Sequence, residues 1–158
     1  MDVHPFRAAW ETRDLAAWSS NFAPDVVLYS PMIKMTFRGR EAATELYRVL
    51  FGALEEFQIT DEFAREDEYA CYWLAKAGGR TIEGSDLIRH DEHGKIAEVR
   101  VFIRPLASIA IFAAAVGPPL VAKGGPIKGL LLGMLTLPLR AIFAAVDFLA
   151  PRLIQRGS

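Results

Sequence analysis

The chain has 158 residues, 52% of them hydrophobic, and a net charge of -1; that is enough for one domain with a sizeable core and too little for two ordinary ones. No basic stripe interleaved with aromatics appears, so nucleic acid is excluded as the expected partner. Cys71 is the only cysteine, which excludes an intramolecular disulfide or a thiolate zinc cluster within one chain and fits a reducing cytoplasm.

The charge is unevenly spread. From Pro105 onward five Lys or Arg face one acid, Asp147, for a balance of +4, which leaves -5 on residues 1 to 104. The N-terminal run M-D-V-H-P-F-R-A-A-W-E-T-R-D interrupts its apolar residues with charges, so no secretory signal is expected there.

In chain order, Pro5 can open a helix carrying Phe6, Trp10 and Leu15, and Asp14 can cap a second short helix reaching Phe22. Pro24-Asp25 ends it. Val26 to Ser30 reads as a short strand closed by Pro31. After a methionine-rich loop, with Met32 and Met35 as a pocket rim or gap fillers, and a turn at Gly39, Glu41 to Leu54 has helical amphipathicity through Ala42, Leu46, Leu50 and Leu54. Strand patterns follow at Phe57 to Arg65, Tyr69 to Lys76, Thr81 to His90 and Lys95 to Arg104, the last two joined by the turn Asp91-Glu92-His93-Gly94. Helices first and a strand meander after them predict an α+β fold.

In the strand run T-I-E-G-S-D-L-I-R, Asp86 is the one acid on its face, since Glu83 alternates to the other. Period-two alternation puts Ile82, Gly84, Asp86 and Ile88 on one strand face and Val99, Val101 and Ile103 on the neighbouring one. A carboxyl among these neighbours is desolvated, which predicts a raised pKa. Neutral, it can donate to a ligand oxygen; ionised, it can accept a proton. The structural alternative ties it to an indole N–H of Trp10, Trp18 or Trp73.

Other residues carry less. Glu83 alternates to the opposite face, and Arg100 turns away from the valines toward the surface or a dimer contact. His90, Asp91 and His93 fall at the hairpin turn, where side chains splay outward, so no metal is expected. Cys71 reads as a small core residue. The acidic run Asp61, Glu62, Glu66, Asp67 and Glu68 reads as a solvated strand edge and loop that discourages edge pairing.

The short strand ending in S-P, the helix start F-R-G-R-E-A-A and the hairpin S-D-L-I-R-H-D-E-H-G-K-I together resemble the superfamily of nuclear transport factor two, ketosteroid isomerase, limonene epoxide hydrolase and SnoaL-like polyketide cyclases. The resemblance covers roughly the first two thirds of the chain. It implies a cone-shaped, curved antiparallel sheet wrapped around N-terminal helices, a deep apolar pocket and a homodimer. It places Asp86 where ketosteroid isomerases keep a protonated acid as oxyanion donor. Their general base would fall at Ser30 and their phenolic donor near Phe6, so neither is present. The last-strand acid of the epoxide hydrolases would fall near Val101, whereas Tyr29 resembles their water-positioning tyrosine.

Beyond Arg104 the composition turns apolar. Leu106 to Val116 is followed by breaks at Gly117-Pro118-Pro119 and at Lys123-Gly124-Gly125-Pro126; two more apolar runs, Gly129 to Leu137 and Leu139 to Ala150, are separated by Pro138. Prolines and the charges Arg140 and Asp147 argue against a transmembrane span. Residues 1–104 are therefore expected to form the cone, and residues 105–158 an apolar helical extension packed on it, on a partner, or on an anionic membrane surface. The functional expectation is a hydrophobic small molecule bound by Trp73, Gly84, Ile88, Val99, Val101, Ile103 and Ser30, with acid-base isomerase or epoxide hydrolase-like chemistry by Asp86 and Tyr29 and no cofactor. The competing expectation is a noncatalytic carrier or sensor of lipophiles.

Overall fold

The structure is a computed structural model that describes residues 3–122 and the helical positions 138, 141–143, 145–146, 148–149 and 152. Helix α1 (Pro5–Thr12) starts at a proline whose missing N–H costs nothing in the first turn. The His4 ring caps it, Nδ1 accepting from the Phe6 amide at 3.2 Å. At its end Arg13 turns left-handed (φ 54°) and donates to the carbonyls of Phe51 and, at 2.8 Å, Leu54. Helix α2 (Leu15–Ser20) is capped by Asp14, whose Oδ1 accepts from the amides of Ala16 and Ala17.

Strand β1 (Phe22–Tyr29) begins earlier than its sequence pattern suggests and runs through Pro24. Its pairing slips between Phe22 and Val27, so the proline falls in an irregular stretch with no ladder partner to lose. Strand β2 (Thr36–Arg38) lies in the segment read as a loop, since three residues are too few to display a period. In helix α3 (Arg40–Ala53) the buried stripe is Ala43, Tyr47, Leu50 and Phe51, one position round from the expected one; Ala42 and Leu46 are half-buried.

Strands β3 (Glu55–Arg65), β4 (Glu68–Ala77), β5 (Arg80–His90) and β6 (Ile96–Arg104) follow as an antiparallel meander. The six strands form one curved, unclosed sheet in the order β2-β1-β6-β5-β4-β3. It is mixed rather than wholly antiparallel, because β1 and β6 pair in parallel, Leu28 opposite Val99 and Tyr29 opposite Arg100. Parallel neighbours require a long crossover, and here everything from β2 to β5 supplies it.

The inner sheet face meets the helices through aromatic rings. Trp10 stacks on Phe57 at 3.8 Å; Phe6, Trp18, Phe22, Tyr47 and Phe51 fill the remaining space largely edge to face. Helix α4 (Leu106–Ala122) then packs on α3 and on β4, β5 and β6. It does not break at Gly117-Pro118-Pro119, as expected from sequence, but continues through both prolines. Two backbone donors are lost there, while Val116 and Gly117 are buried.

Two glycines test this packing in opposite directions. A Cβ on Gly84 would lie 2.3 Å from Trp73 Cζ2 and 2.6 Å from the Phe102 carbonyl, so Gly84→Ala should destabilise by about 1–3 kcal/mol, the usual range for overpacking. A Cβ on Gly52, near the end of α3, meets nothing within 4 Å, so Gly52→Ala should stabilise by up to about 1 kcal/mol. Urea midpoints of the two variants check both signs.

Candidate functional site: a carboxyl in an apolar cavity

Between the sheet, α3 and α4 lies a cavity of about 70 Å³, room for roughly five water molecules if each needs about 15 Å³. Leu28, Val99, Val101 and Trp73 come from the sheet, Leu46, Tyr47 and Leu50 from α3, and Phe112, Val116 and Leu120 from α4. Trp10 and Phe57 form another part of the wall, and the segment Tyr29 to Ile33 a further one. Asp86 is the only carboxylate among these described lining residues.

The position of Asp86 follows from pairing register. Trp73 on β4 lies opposite Gly84 on β5, and Asp86 is two residues further along the same face. Diagonal neighbours of this kind are within reach of a large aromatic side chain. Because Gly84 has no side chain, the indole lies across it, and Trp73 Nε1 donates to Asp86 Oδ1 at 3.1 Å. The expected tie to an indole N–H is therefore present, on a residue that also lines the cavity.

Asp86 is 5% exposed. Burial raises its pKa from 3.8 to about 7, and the Trp73 hydrogen bond pulls in the opposite direction without compensating. Cys71, directly opposite Asp86 on β4, is fully buried. Burial and the nearby carboxylate push its thiol well up, away from thiolate chemistry. Tyr47 is also pushed up, by burial and then by Asp86, which puts its phenol in the electrostatic neighbourhood of the acid.

The sequence-predicted residues divide into two groups. Tyr29, Ser30, Trp73, Asp86, Val99 and Val101 meet at the cavity. Gly84, Ile88 and Ile103 share the inner face but lie outside the wall: Gly84 is covered by the indole, Ile88 is in the core, and Ile103 is half-buried against it. Tyr29 has other engagements, since the Arg100 guanidinium sits 4.4 Å from its ring centre and Glu98, paired with that arginine, is a hydrogen-bond partner of its side chain. Ser30 Oγ accepts from the amides of Met32 and Ile33 at 3.2 and 3.4 Å, which holds the loop at the cavity edge. Met32 lines the cavity and Met35 is exposed.

Sequence reasoning missed Tyr47, Phe37, Phe57 and the α4 residues. The signal for Tyr47 was available in the helical spacing Ala43, Tyr47, Leu50, Leu54. The signal for α4 was obscured because a segment apolar on every side does not indicate which side faces inward.

A second polar cluster lies outside the cavity wall. His90 does not splay into solvent as expected: its Nε2 is 3.3 Å from His4 Nε2, and its Nδ1 is 3.0 Å from the Asp67 carbonyl. His4 Nδ1 accepts from Phe6, so its proton is on Nε2; His90 Nδ1 must donate to a carbonyl, so its Nε2 is free to accept. His4 therefore donates to His90, and its own ring cannot take a further proton without losing the bond from Phe6. His4 also stacks on Tyr69 at 3.6 Å, and Tyr69 donates to Glu62, which Arg7 holds from the other side. Burial, then His90, lowers the His4 pKa to about 4.

A family model described as SnoaL-like domain matches residues 3–99. The chain belongs to the SnoaL-like domain family. No curated protein gives a sequence match. Among solved structures, a steroid delta-isomerase from Pseudomonas aeruginosa superposes with a TM-score of 0.70 at 23% identity, covering 75% of this chain and 88% of that one. A Silicibacter pomeroyi protein with a cystatin-like fold also gives 0.70, at 20% identity, covering 81% and 93%. An epoxide hydrolase/cyclase-like enzyme of pyran ring formation in salinomycin gives 0.54 at 23% identity, covering 63% and 84%. At these identities the likeness establishes the fold.

Asp86 and His4 give opposite pH dependences of stability. Between about pH 4 and 7 the unfolded chain has released the Asp86 proton and the folded protein keeps it, so this group's contribution is full below pH 4 and is lost as pH rises, on the order of 4 kcal/mol for a shift of about three units. Between about pH 4 and 6.5 the unfolded chain carries a proton on His4 that the folded protein excludes, so stability there rises with pH. Asp86→Asn should therefore give stability that climbs from pH 4.5 to 6.5, and His4→Gln stability that falls over the same interval. Urea titrations at several pH values check the two slopes.

Proposed function

We infer that the cavity binds a compact, neutral lipophile carrying an acceptor oxygen, and that Asp86 in its neutral form donates a hydrogen bond to that oxygen. The observation that carries this reading is the buried carboxyl in an otherwise apolar wall, one oxygen held by Trp73. An acid with a pKa near the working pH can also transfer its proton, so on an enolisable ketone or an epoxide the same group serves as general acid in isomerisation or hydration. Tyr47 is the better-placed phenolic partner, since Tyr29 is engaged by Arg100 and Glu98. The steroid delta-isomerase and epoxide hydrolase/cyclase-like structures share this fold and support an isomerase-type reading. The second reading is a carrier or sensor without turnover, favoured by the single carboxyl in the described wall.

Native mass spectrometry of the purified protein identifies any lipophile retained in the cavity. Binding of a neutral ketone, followed by tryptophan fluorescence, should weaken as pH rises through about 7 and Asp86 ionises. Asp86→Asn, which still donates, should bind without that pH dependence, and Asp86→Leu should lose binding. If a β,γ-unsaturated ketone or an epoxide is turned over, Asp86→Asn should slow the reaction by about 10²–10⁴-fold, the usual worth of a general acid. Binding without turnover selects the carrier; no binding to wild type at any pH rejects the reading.

The outer sheet face supports a homodimer in this proposal. Tyr72, Ser85 and Phe102 lie in line across β4, β5 and β6, and both rings are more than half exposed. Burying them against a second copy would remove an apolar patch from water. Sedimentation equilibrium should give twice the 17.5 kDa chain mass, and Phe102→Glu with Tyr72→Glu should give the monomer.

A further inference from the structure

Two of the chain's three histidines meet across the fold, His4 at the start of α1 and His90 at the end of β5, and the chemistry proposed above uses neither. Their four nitrogens form a line of hydrogen bonds with fixed ends. The Phe6 amide can only donate at one end, and the Asp67 carbonyl can only accept at the other. Three gaps lie between those ends: Phe6 N to His4 Nδ1 at 3.2 Å, His4 Nε2 to His90 Nε2 at 3.3 Å, and His90 Nδ1 to the Asp67 oxygen at 3.0 Å. With both rings neutral, each gap holds one hydrogen. An extra proton therefore finds no vacant gap. On His4 Nδ1 it faces the Phe6 amide. On His90 Nε2 it faces the His4 N–H, unless His4 turns its own proton to Nδ1 and meets the Phe6 amide instead.

The surroundings only partly favour the extra charge. Glu62 of β3 attracts it, but Arg7 of α1 and the Tyr69 hydroxyl of β4 already hold that carboxylate. The Tyr69 ring presents its face to His4 at 3.6 Å. Glu68, next to Asp67, is paired with Arg89, and Asp91, next to His90, accepts from the amides of His93 and Lys95. Burial, then His90, outweighs Glu62 and keeps the His4 pKa down at about 4. What the line holds in place is α1. The Phe6 amide belongs to its first turn, and the same helix carries Trp10, which stacks on Phe57 as part of the cavity wall.

We propose that the His4–His90 contact is an acid-released clasp, which lets α1 lift from the sheet and opens the Trp10–Phe57 side of the cavity. Its use as a control on entry rests on the cavity being a binding site, whereas the experiment reads the clasp without any ligand. If His4 titrates near its ordinary 6.5 when the clasp is open and at about 4 when it is closed, the open population grows roughly 40-fold from pH 6.5 to pH 4.5. Phe6 and Trp10 still favour the closed form, so the open form is an enlarged minority. In nitrogen-15 imidazole spectra at pH 7.5, His4 should carry its proton on Nε2 and His90 on Nδ1; the opposite form of either ring would overturn the proposal. Hydrogen exchange, corrected for the intrinsic rate, should show the amides of Phe6 to Thr12 at least about tenfold less protected at pH 4.5 than at pH 6.5. Ile82 to Asp86 in β5 should lose no protection, because in global unfolding the Asp86 proton offsets that of His4. His4→Asn caps a helix without titrating, so its α1 protection should change by less than about threefold over the same interval. Should that variant fail to fold, the wild-type spectra and exchange decide alone. Constant α1 protection in wild type, an equal loss in β5, or an undiminished acid response in folded His4→Asn would each overturn the proposal.

Discussion

An indole lying across a glycine sets the chemistry of this protein. Trp73 reaches Asp86 only because Gly84, its partner across the β4–β5 ladder, has no side chain. The hydrogen bond fixes Oδ1 and leaves the other carboxyl oxygen without that constraint. It also makes the burial of Asp86 tolerable, since a desolvated carboxyl with no partner is costly in either ionisation state. The nitrogens of Trp10 and Trp18 have no hydrogen-bond partner among the described residues. These three buried indoles thus have different roles: two contribute ring surface, and one also contributes a donor.

The cavity wall is assembled from distant parts of the chain, and this governs how Asp86 is kept dry. The sheet alone would leave the acid on an open concave surface. Helix α3 closes one side with Leu46, Tyr47 and Leu50, and α4 closes another with Phe112, Val116 and Leu120. The raised pKa of Asp86 is accordingly a property of the whole enclosure, because burial is its main cause. Any movement of α4 that admits water would lower that pKa and favour the anion, so access to the cavity and the protonation state of its acid are coupled.

Much of this was legible in the sequence, for identifiable reasons. The four long strands and the Asp91-Gly94 turn were visible because alternation over nine or more residues is a strong signal, and Asp86 was conspicuous because it broke an apolar face. What could not be read depended on non-local pairing. The parallel joint between β1 and β6 leaves no local trace, and β2 is too short to have a pattern. Pro24 appeared to forbid the strand that contains it, since only the register slip nearby makes it harmless. Likewise Gly117-Pro118-Pro119 read as a break, and packing against the cone overrode it. Which inner-face residues reach the cavity was equally hidden: Ile88 and Val99 alternate alike, but only Val99 lines it.

The joint between β1 and β6 also bears on how the chain is made. Leu28 and Val99 are about seventy residues apart in sequence and adjacent in space. On the ribosome, β3, β4 and β5 can pair with one another as they emerge, but β1 has only β2 beside it until β6 has been synthesised. During that interval Phe22, Val26 and Leu28, all buried in the finished protein, have only part of their partner surface. Strand β1 is therefore the last to acquire its full set of neighbours, and the sheet can be completed only after Arg104 has left the exit tunnel.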